Sequence, residues 1–63
     1  MSTTQKLQAR DLKTGDFLTA SGATILSAIA GTAVTQVEVK YSNGKESVRM
    51  WNSRTEMKIE RVA

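Results

Sequence analysis

The sequence predicts a small all-β protein, either a five-stranded barrel or a strongly twisted antiparallel meander. Its 63 residues allow one small domain. Turn-forming residues recur at short intervals, a pattern that favours strands over helices. Two segments of alternating polarity also flank Asn43-Gly44, a pair typical of a tight hairpin turn. Closing the strands into a barrel would bury their apolar face and remove the exposed edges.

The N-terminal segment, residues 1–8, is polar and is expected to be flexible, so the predicted domain spans residues 9–63. It lacks the apolar centre of a signal peptide. The most apolar stretch, residues 20–34, is too short and too often interrupted by polar residues to span a membrane. Because there is also no cysteine, we expect a cytoplasmic protein with no membrane partner.

The first and last strands of the predicted domain follow turn signals. Residues 16–19 form a short strand after the turn at Gly15. A turn at residues 52–55 leads into residues 56–62, which alternate in polarity with Met57 and Ile59 facing inward.

The segment 23–30 fits two structures. Ile25, Ser27 and Ile29 alternate, as they would in a strand, whereas Ile25, Leu26 and Ile29 would share one face of a helix. The short length and the flanking glycines favour the strand.

The hairpin at Asn43-Gly44 has a register that a two-residue type I′ turn would fix. In that register Val39 faces Val48, and Glu38 faces Arg49 as a cross-strand ion pair. One face then holds the apolar residues Tyr41, Val39, Val37, Val48 and Met50. The other face holds Lys40, Glu38, Gln36, Ser47, Arg49 and Trp51, with Gln36 opposite Trp51.

The segment 10–18 (Arg-Asp-Leu-Lys-Thr-Gly-Asp-Phe-Leu) resembles the opening of many small SH3-like β-barrels, including KOW and Tudor types. The resemblance covers roughly residues 9–62 as a pattern of turns and core positions, and is similar to that of small domains in phage- or plasmid-encoded proteins. It implies that Leu12 packs in the core, Gly15 makes the turn and Phe17 begins the first strand. Intein-like domains share a related opening but need a catalytic histidine, which this chain lacks. The fold by itself names no function.

The composition argues against catalysis. The chain has no histidine and no cysteine, which removes the commonest general base, nucleophile and metal ligands. Its six carboxylates lack the spacing of a calcium loop, and its glycines form no phosphate-binding motif. We therefore expect a protein that is not an enzyme and that holds neither a metal nor a cofactor.

Trp51 is the strongest candidate for a binding residue. In the predicted register it lies on the polar face with Arg49, Gln36 and Lys40, and Lys45 and Arg54 lie nearby in the sequence. An exposed aromatic ring among cations suits the stacking of a base and the binding of phosphates. The structural alternative is that Trp51 covers one end of a barrel, packing on Val34 or on the N-terminal segment.

Two functions fit these features. The net charge of +3 and the Trp51 surface favour a small nucleic-acid-binding module. The alternative is a protein-interaction module, either a homo-oligomer or a small inhibitor or regulator of a cellular protein. Open strand edges and the weakly charged segment 21–34, which would add a strand to a partner sheet, favour this alternative.

Overall fold

Six strands form one antiparallel sheet in residues 2–62, the part of the chain that this computed structural model describes. They are β1 (Ser2–Gln8), β2 (Phe17–Leu18), β3 (Ala23–Ala30), β4 (Val34–Tyr41), β5 (Glu46–Asn52) and β6 (Glu56–Val62). A short 3-10 helix, Ala9–Asp11, follows β1. The predicted all-β class is confirmed, with one strand more than the five expected.

The order of strands across the sheet is β1, β6, β2, β3, β4, β5. Strands β2 to β5 follow one another as the predicted meander, whereas β6 returns to lie between β1 and β2. The described strands do not close into a barrel, so β1 and β5 are the two edges of the sheet.

The N-terminal segment takes part in the sheet. Ser2–Gln8, expected to be flexible and outside the domain, is β1, and it pairs along its whole length with β6. Leu7 packs against the core from this strand. The sheet therefore extends beyond the boundary predicted at residue 9, and Met1 lies outside the described residues.

The core lies on one face of the sheet, which we call the core face; the opposite face is the outer face. The buried side chains of the core are Leu12, Leu18, Ala23, Ile25, Val37, Val39 and Ile59. The burial of Leu12 and Ile59 confirms two core positions predicted from the sequence. Gly15 has a φ of +94°, a conformation that favours glycine, which confirms the predicted turn.

Strand β3 confirms the strand interpretation of residues 23–30. Its register shifts between Ile25 and Ser27, so that Leu26 forms a bulge. Ile25 lies opposite Val39 on the core face, but beyond the bulge Ile29 lies opposite Gln36 on the outer face. Ile25 and Ile29 therefore lie on opposite faces of β3, whereas the predicted alternation of Ile25, Ser27 and Ile29 placed them on the same face.

The loop between β4 and β5 differs from the predicted turn. The Gly44 N–H donates to the Tyr41 carbonyl at 2.9 Å, and the Tyr41 N–H donates to the Lys45 carbonyl at 2.8 Å. Gly44 has a φ of +87°, whereas Asn43 does not have a positive φ. This is a three-residue loop, a type I turn followed by a left-handed glycine, in place of the predicted two-residue type I′ turn. The Asn43 side-chain oxygen accepts the Lys45 N–H at 3.0 Å, which stabilises the longer loop.

The extra loop residue shifts the register by one and turns β5 over. Trp51 lies opposite Thr35, and Arg49 lies opposite Val37. The predicted pairs of Val39 with Val48, Glu38 with Arg49, Val37 with Met50 and Gln36 with Trp51 are therefore wrong. No Glu38–Arg49 ion pair forms, because Glu38 lies opposite Val48 on the outer face.

Among residues 2–62, no helix combines the length and the apolar content that crossing a bilayer requires.

Candidate functional site

Trp51 and Arg49 form the centre of the candidate site on β5, which is an edge strand. Both lie on the core face, because their partners on β4 are the buried residues Thr35 and Val37. Trp51 is half-buried and packs against the core, while Arg49 is exposed. The alternative in which Trp51 packs on Val34 at a barrel end is not confirmed, because Val34 lies opposite Asn52 on the outer face. The sequence correctly placed the two side chains on one face but chose the wrong face.

The Arg49 guanidinium lies over the indole. Its Cζ atom is 5.7 Å from the centroid of the Trp51 ring, within the range of a cation–π interaction. Its Nη1 atom also donates to the Tyr41 hydroxyl at 3.3 Å. Two contacts therefore hold Arg49 above the indole, and we call Tyr41, Arg49 and Trp51 the indole site.

A shallow cleft of about 330 Å³ begins at Trp51. This volume is at the lower end of the range of ligand pockets, roughly 300–1,000 Å³. Its lining is mainly apolar, with two charged residues: Leu18, Ala20, Ser21, Trp51, Thr55, Glu56, Met57 and Lys58. A flat apolar group the size of a base or an aromatic side chain would contact the indole there.

The other predicted site residues separate into two groups. Lys40 and Gln36 are exposed on the outer face, opposite Glu46 and Met50, and so lie away from the indole site. Their predicted place beside Trp51 is wrong because of the register shift. Lys45 and Arg54 are exposed in the loops that begin and end β5.

Sequence reasoning missed Tyr41 and the cleft residues. Tyr41 was placed on the apolar face, away from Arg49, because the predicted register separated them. Leu18 reaches the cleft from β2, which is distant in the sequence, and Met57 reaches it from β6, which follows β5 in the chain but is not its neighbour in the sheet. Neither β2 nor β6 is a neighbour of β5 in the sheet, so these residues lie beside Trp51 only because the sheet curls around its core face.

Charge is divided between the two faces of the sheet. At outer-face positions of the strands there are three lysines (Lys6, Lys40, Lys58) and four glutamates (Glu38, Glu46, Glu56, Glu60). Since the whole chain carries +3, the excess of positive charge lies in the remaining residues, which include all four arginines. The outer-face strand positions are therefore slightly acidic, and Arg49 of the indole site belongs to the cationic remainder, most of which lies in the connections between strands.

A second cleft, of about 360 Å³, lies beside the ion pair of Asp16 and Arg61. Arg61 Nε and Nη2 donate to the two Asp16 carboxylate oxygens at 2.8 and 2.7 Å, and the Lys13 N–H donates at 2.9 Å. Burial alone would raise the pKa of the Asp16 carboxyl, but the hydrogen bonds from Arg61 and Lys13 and their positive charges outweigh it and lower that pKa. Because both carboxylate oxygens are occupied, this cluster is structural.

In residues 2–62, no three acidic, histidine or cysteine side chains lie close enough together to hold a metal ion.

Comparison with known proteins identifies no relative: no family model matches the chain, and no curated protein or solved structure is significantly similar to it. The likeness to SH3-like domains therefore extends only to the small antiparallel all-β architecture.

Proposed function

We propose that this chain is a small, non-catalytic module that binds single-stranded nucleic acid through the indole site. The observation that carries the proposal is the Arg49 guanidinium held 5.7 Å from the Trp51 ring centroid, beside an open apolar cleft. Aromatic rings and guanidinium planes are the groups on which unpaired bases stack.

The positions of the cations support this proposal. Lys45 and Arg54 lie at the two ends of β5, with Arg49 between them. A backbone that follows the strand would meet positive charge along its length while one base enters the cleft against Trp51. Glu38, Glu46 and Glu60 are at outer-face positions, and Glu56, which lines the cleft, is accompanied there by Lys58.

Anisotropy of a labelled single-stranded oligonucleotide tests the proposal, with Arg49→Ala and Lys40→Ala as matched variants. Both variants remove one exposed positive charge, but from opposite faces. Arg49→Ala should weaken binding and lower the slope of log K against log salt by about 0.7, the contribution of one phosphate contact on a single strand. Lys40→Ala should bind nearly as well as the unmodified chain.

Fluorescence provides a second readout, because Trp51 is the sole tryptophan. The oligonucleotide should quench its emission if a base stacks there. Equal loss of affinity in the two variants, or no binding at about 50 mM salt, would contradict the proposal.

The second candidate function is protein interaction, and the outer face carries the observation that favours it. Ile29, Val34, Val48 and Met50 are large apolar side chains with between 49% and 68% of their surface exposed. Ile29 and Met50 lie on either side of Gln36, and these four residues therefore share one region of the outer face, which we call the outer apolar patch. Such patches commonly mark interaction surfaces. An SH3-like domain of a phage- or plasmid-type regulator in the cytoplasm fits either function.

A further inference from the structure

Strand β5 presents an unpaired backbone edge in the described sheet. In an antiparallel sheet, the N–H and C=O groups of one residue point to the strand on one side, and those of the next residue point to the strand on the other side. Lys45 and Ser53 bond to the β4 side, as the Tyr41–Lys45 and Ser53–Ala33 hydrogen bonds show. The odd-numbered residues of β5 therefore point to β4, and Glu46, Val48, Met50 and Asn52 direct their N–H and C=O groups to the free edge.

This edge has few of the features that normally prevent strand addition, although the charged Arg49 lies at its middle on the core face. The seven residues of β5 contain no proline, and the β4–β5 ladder shows no bulge. The two outer-face residues at its middle, Val48 and Met50, are apolar and exposed. The opposite edge, β1, carries Lys6 on its outer face, where β5 carries the apolar Val48 and Met50.

We propose that the occupant of this edge is a second copy of the chain, paired antiparallel through β5 about a two-fold axis at Met50. Met50 then lies opposite the other copy's Met50, and Val48 lies opposite Asn52 of the other copy. These are the residues whose backbone groups are free, so the new ladder meets the hydrogen-bonding pattern of the edge. The proposal deepens the second candidate function, and it does not depend on nucleic-acid binding.

Charge complementarity favours this register over those with the axis at Arg49 or at Val48. With the axis at Met50, each Arg49 lies opposite Trp51 of the other copy, and each Glu46 lies near the loop that holds the other copy's Arg54. An axis at Arg49 would place two guanidiniums opposite each other, which is destabilising. An axis at Val48 would place Glu46 opposite Met50 and would leave no pair of opposite charges.

The dimer also changes the binding surface. Antiparallel partners related by this axis keep their side chains on the same faces, so both indole sites lie side by side on one face of a continuous sheet. The ladder covers only five residues of each copy, and we therefore expect a concentration-dependent dimer.

Disulfide trapping tests the register directly, because the chain contains no cysteine. Hydrogen-bonded partners in an antiparallel ladder have Cα atoms about 5.5 Å apart, which a disulfide spans. Mild oxidation of Met50→Cys, without nucleic acid, should give a covalent dimer. Val48→Cys alone should not, because its copies would be about 14 Å apart at about 3.4 Å per residue.

A mixture of Val48→Cys and Asn52→Cys should form the mixed dimer, which confirms the offset between the strands. Equal trapping of Val48→Cys alone, or a monomeric Met50→Cys at millimolar concentration in sedimentation equilibrium, would overturn the proposal. Since no oligonucleotide is present, failure here leaves the nucleic-acid proposal standing.

Discussion

The ion pair of Asp16 and Arg61 joins two segments that are far apart in the sequence. Asp16 is 2% exposed, and Arg61 reaches it from β6 with two hydrogen bonds. Arg61 Nη2 also donates to the Asp11 carbonyl at 3.3 Å. The sequence predicts the turn at Gly15, but it does not predict the burial of Asp16, because the partner is 45 residues away in the chain.

Replacing Asp16 with asparagine should lower the free energy of unfolding by about 1–3 kcal/mol, because Arg61 loses its charged partner. The pKa of Asp16 is lower in the folded chain than its usual value near 3.8. The ion pair therefore stabilises the fold above that pH, and its contribution is lost as the pH falls through the lowered pKa.

Urea unfolding from about pH 6 down to about pH 2 should show this loss in the unmodified chain and a smaller one in Asp16→Asn. Asp11→Asn is the matched control, since Asp11 is exposed, accepts from Arg61 only through its backbone carbonyl, and has a carboxylate whose attraction to Arg61 is weaker than that of Asp16. An unchanged acid profile in Asp16→Asn would contradict the assignment.

A buried pair of hydroxyls joins β4 to the turn before β6. Ser53 Oγ donates to the Gly31 carbonyl at 2.7 Å and lies 2.9 Å from Thr35 Oγ1. Since the Ser53 hydroxyl has one proton, which Gly31 accepts, Thr35 must donate to Ser53. A Cβ atom on residue 31 would collide with the Val34 carbonyl oxygen, so this contact depends on glycine.

The direction of this hydrogen bond predicts unequal effects of two similar substitutions. Ser53→Ala leaves the buried Thr35 donor and the Gly31 carbonyl without their partner and should cost about 1–3 kcal/mol. Thr35→Val removes the donor but keeps the Ser53–Gly31 bond, and it should cost distinctly less. The urea midpoints of the two variants show which is less stable. If Thr35→Val were the less stable, Ser53 would be the donor to Thr35.

Among the elements, the β4–β5 hairpin shows the limits of sequence reasoning. The alternation of its two strands and the Asn-Gly signal predicted the hairpin itself, which is confirmed. The same signal suits both a two-residue and a three-residue loop, and the choice inverts every side chain of β5. The bulge at Leu26 has a similar effect on β3. Because it adds one residue, every side chain after it lies on the face opposite to the one that simple alternation predicts.

Two single-residue deletions test the loop. Without Ser42, Asn43-Gly44 would form a two-residue type I′ loop between the same partners, Tyr41 and Lys45, so the faces of β5 should be kept. Without Gly44, the two-residue loop would be Ser42-Asn43. Both residues would need a positive φ, and for a residue other than glycine that conformation costs about 1–2 kcal/mol.

We expect the Ser42 deletion to retain the Trp51 emission maximum and most of the stability, and the Gly44 deletion to unfold at lower urea concentration. A red-shifted Trp51 in the Ser42 deletion would mean that the register had moved.

At the scale of the whole molecule, composition predicted the class of fold and pattern predicted five of the six strands. Neither predicted β1, because this polar segment is held in the sheet mainly by backbone hydrogen bonds to β6, which leave no signal in the sequence. The candidate site was predicted in part: Arg49 and Trp51 lie together, whereas Gln36 and Lys40 lie on the other face. The curvature that brings β2 and β6 towards Trp51 and the register that sets the face of each charged residue are not defined by any local signal.

The pairing of β1 with β6 has a consequence for how the chain folds. The meander of β2 to β5 needs only short loops, but β1 meets its partner only after most of the intervening chain has been arranged. Closing so long a loop costs entropy before any contact compensates for it, so docking of β1 is expected to be the slow, late step. Until then β6 forms the edge of the half-formed sheet in place of β1, and its unpaired backbone groups are open to aggregation.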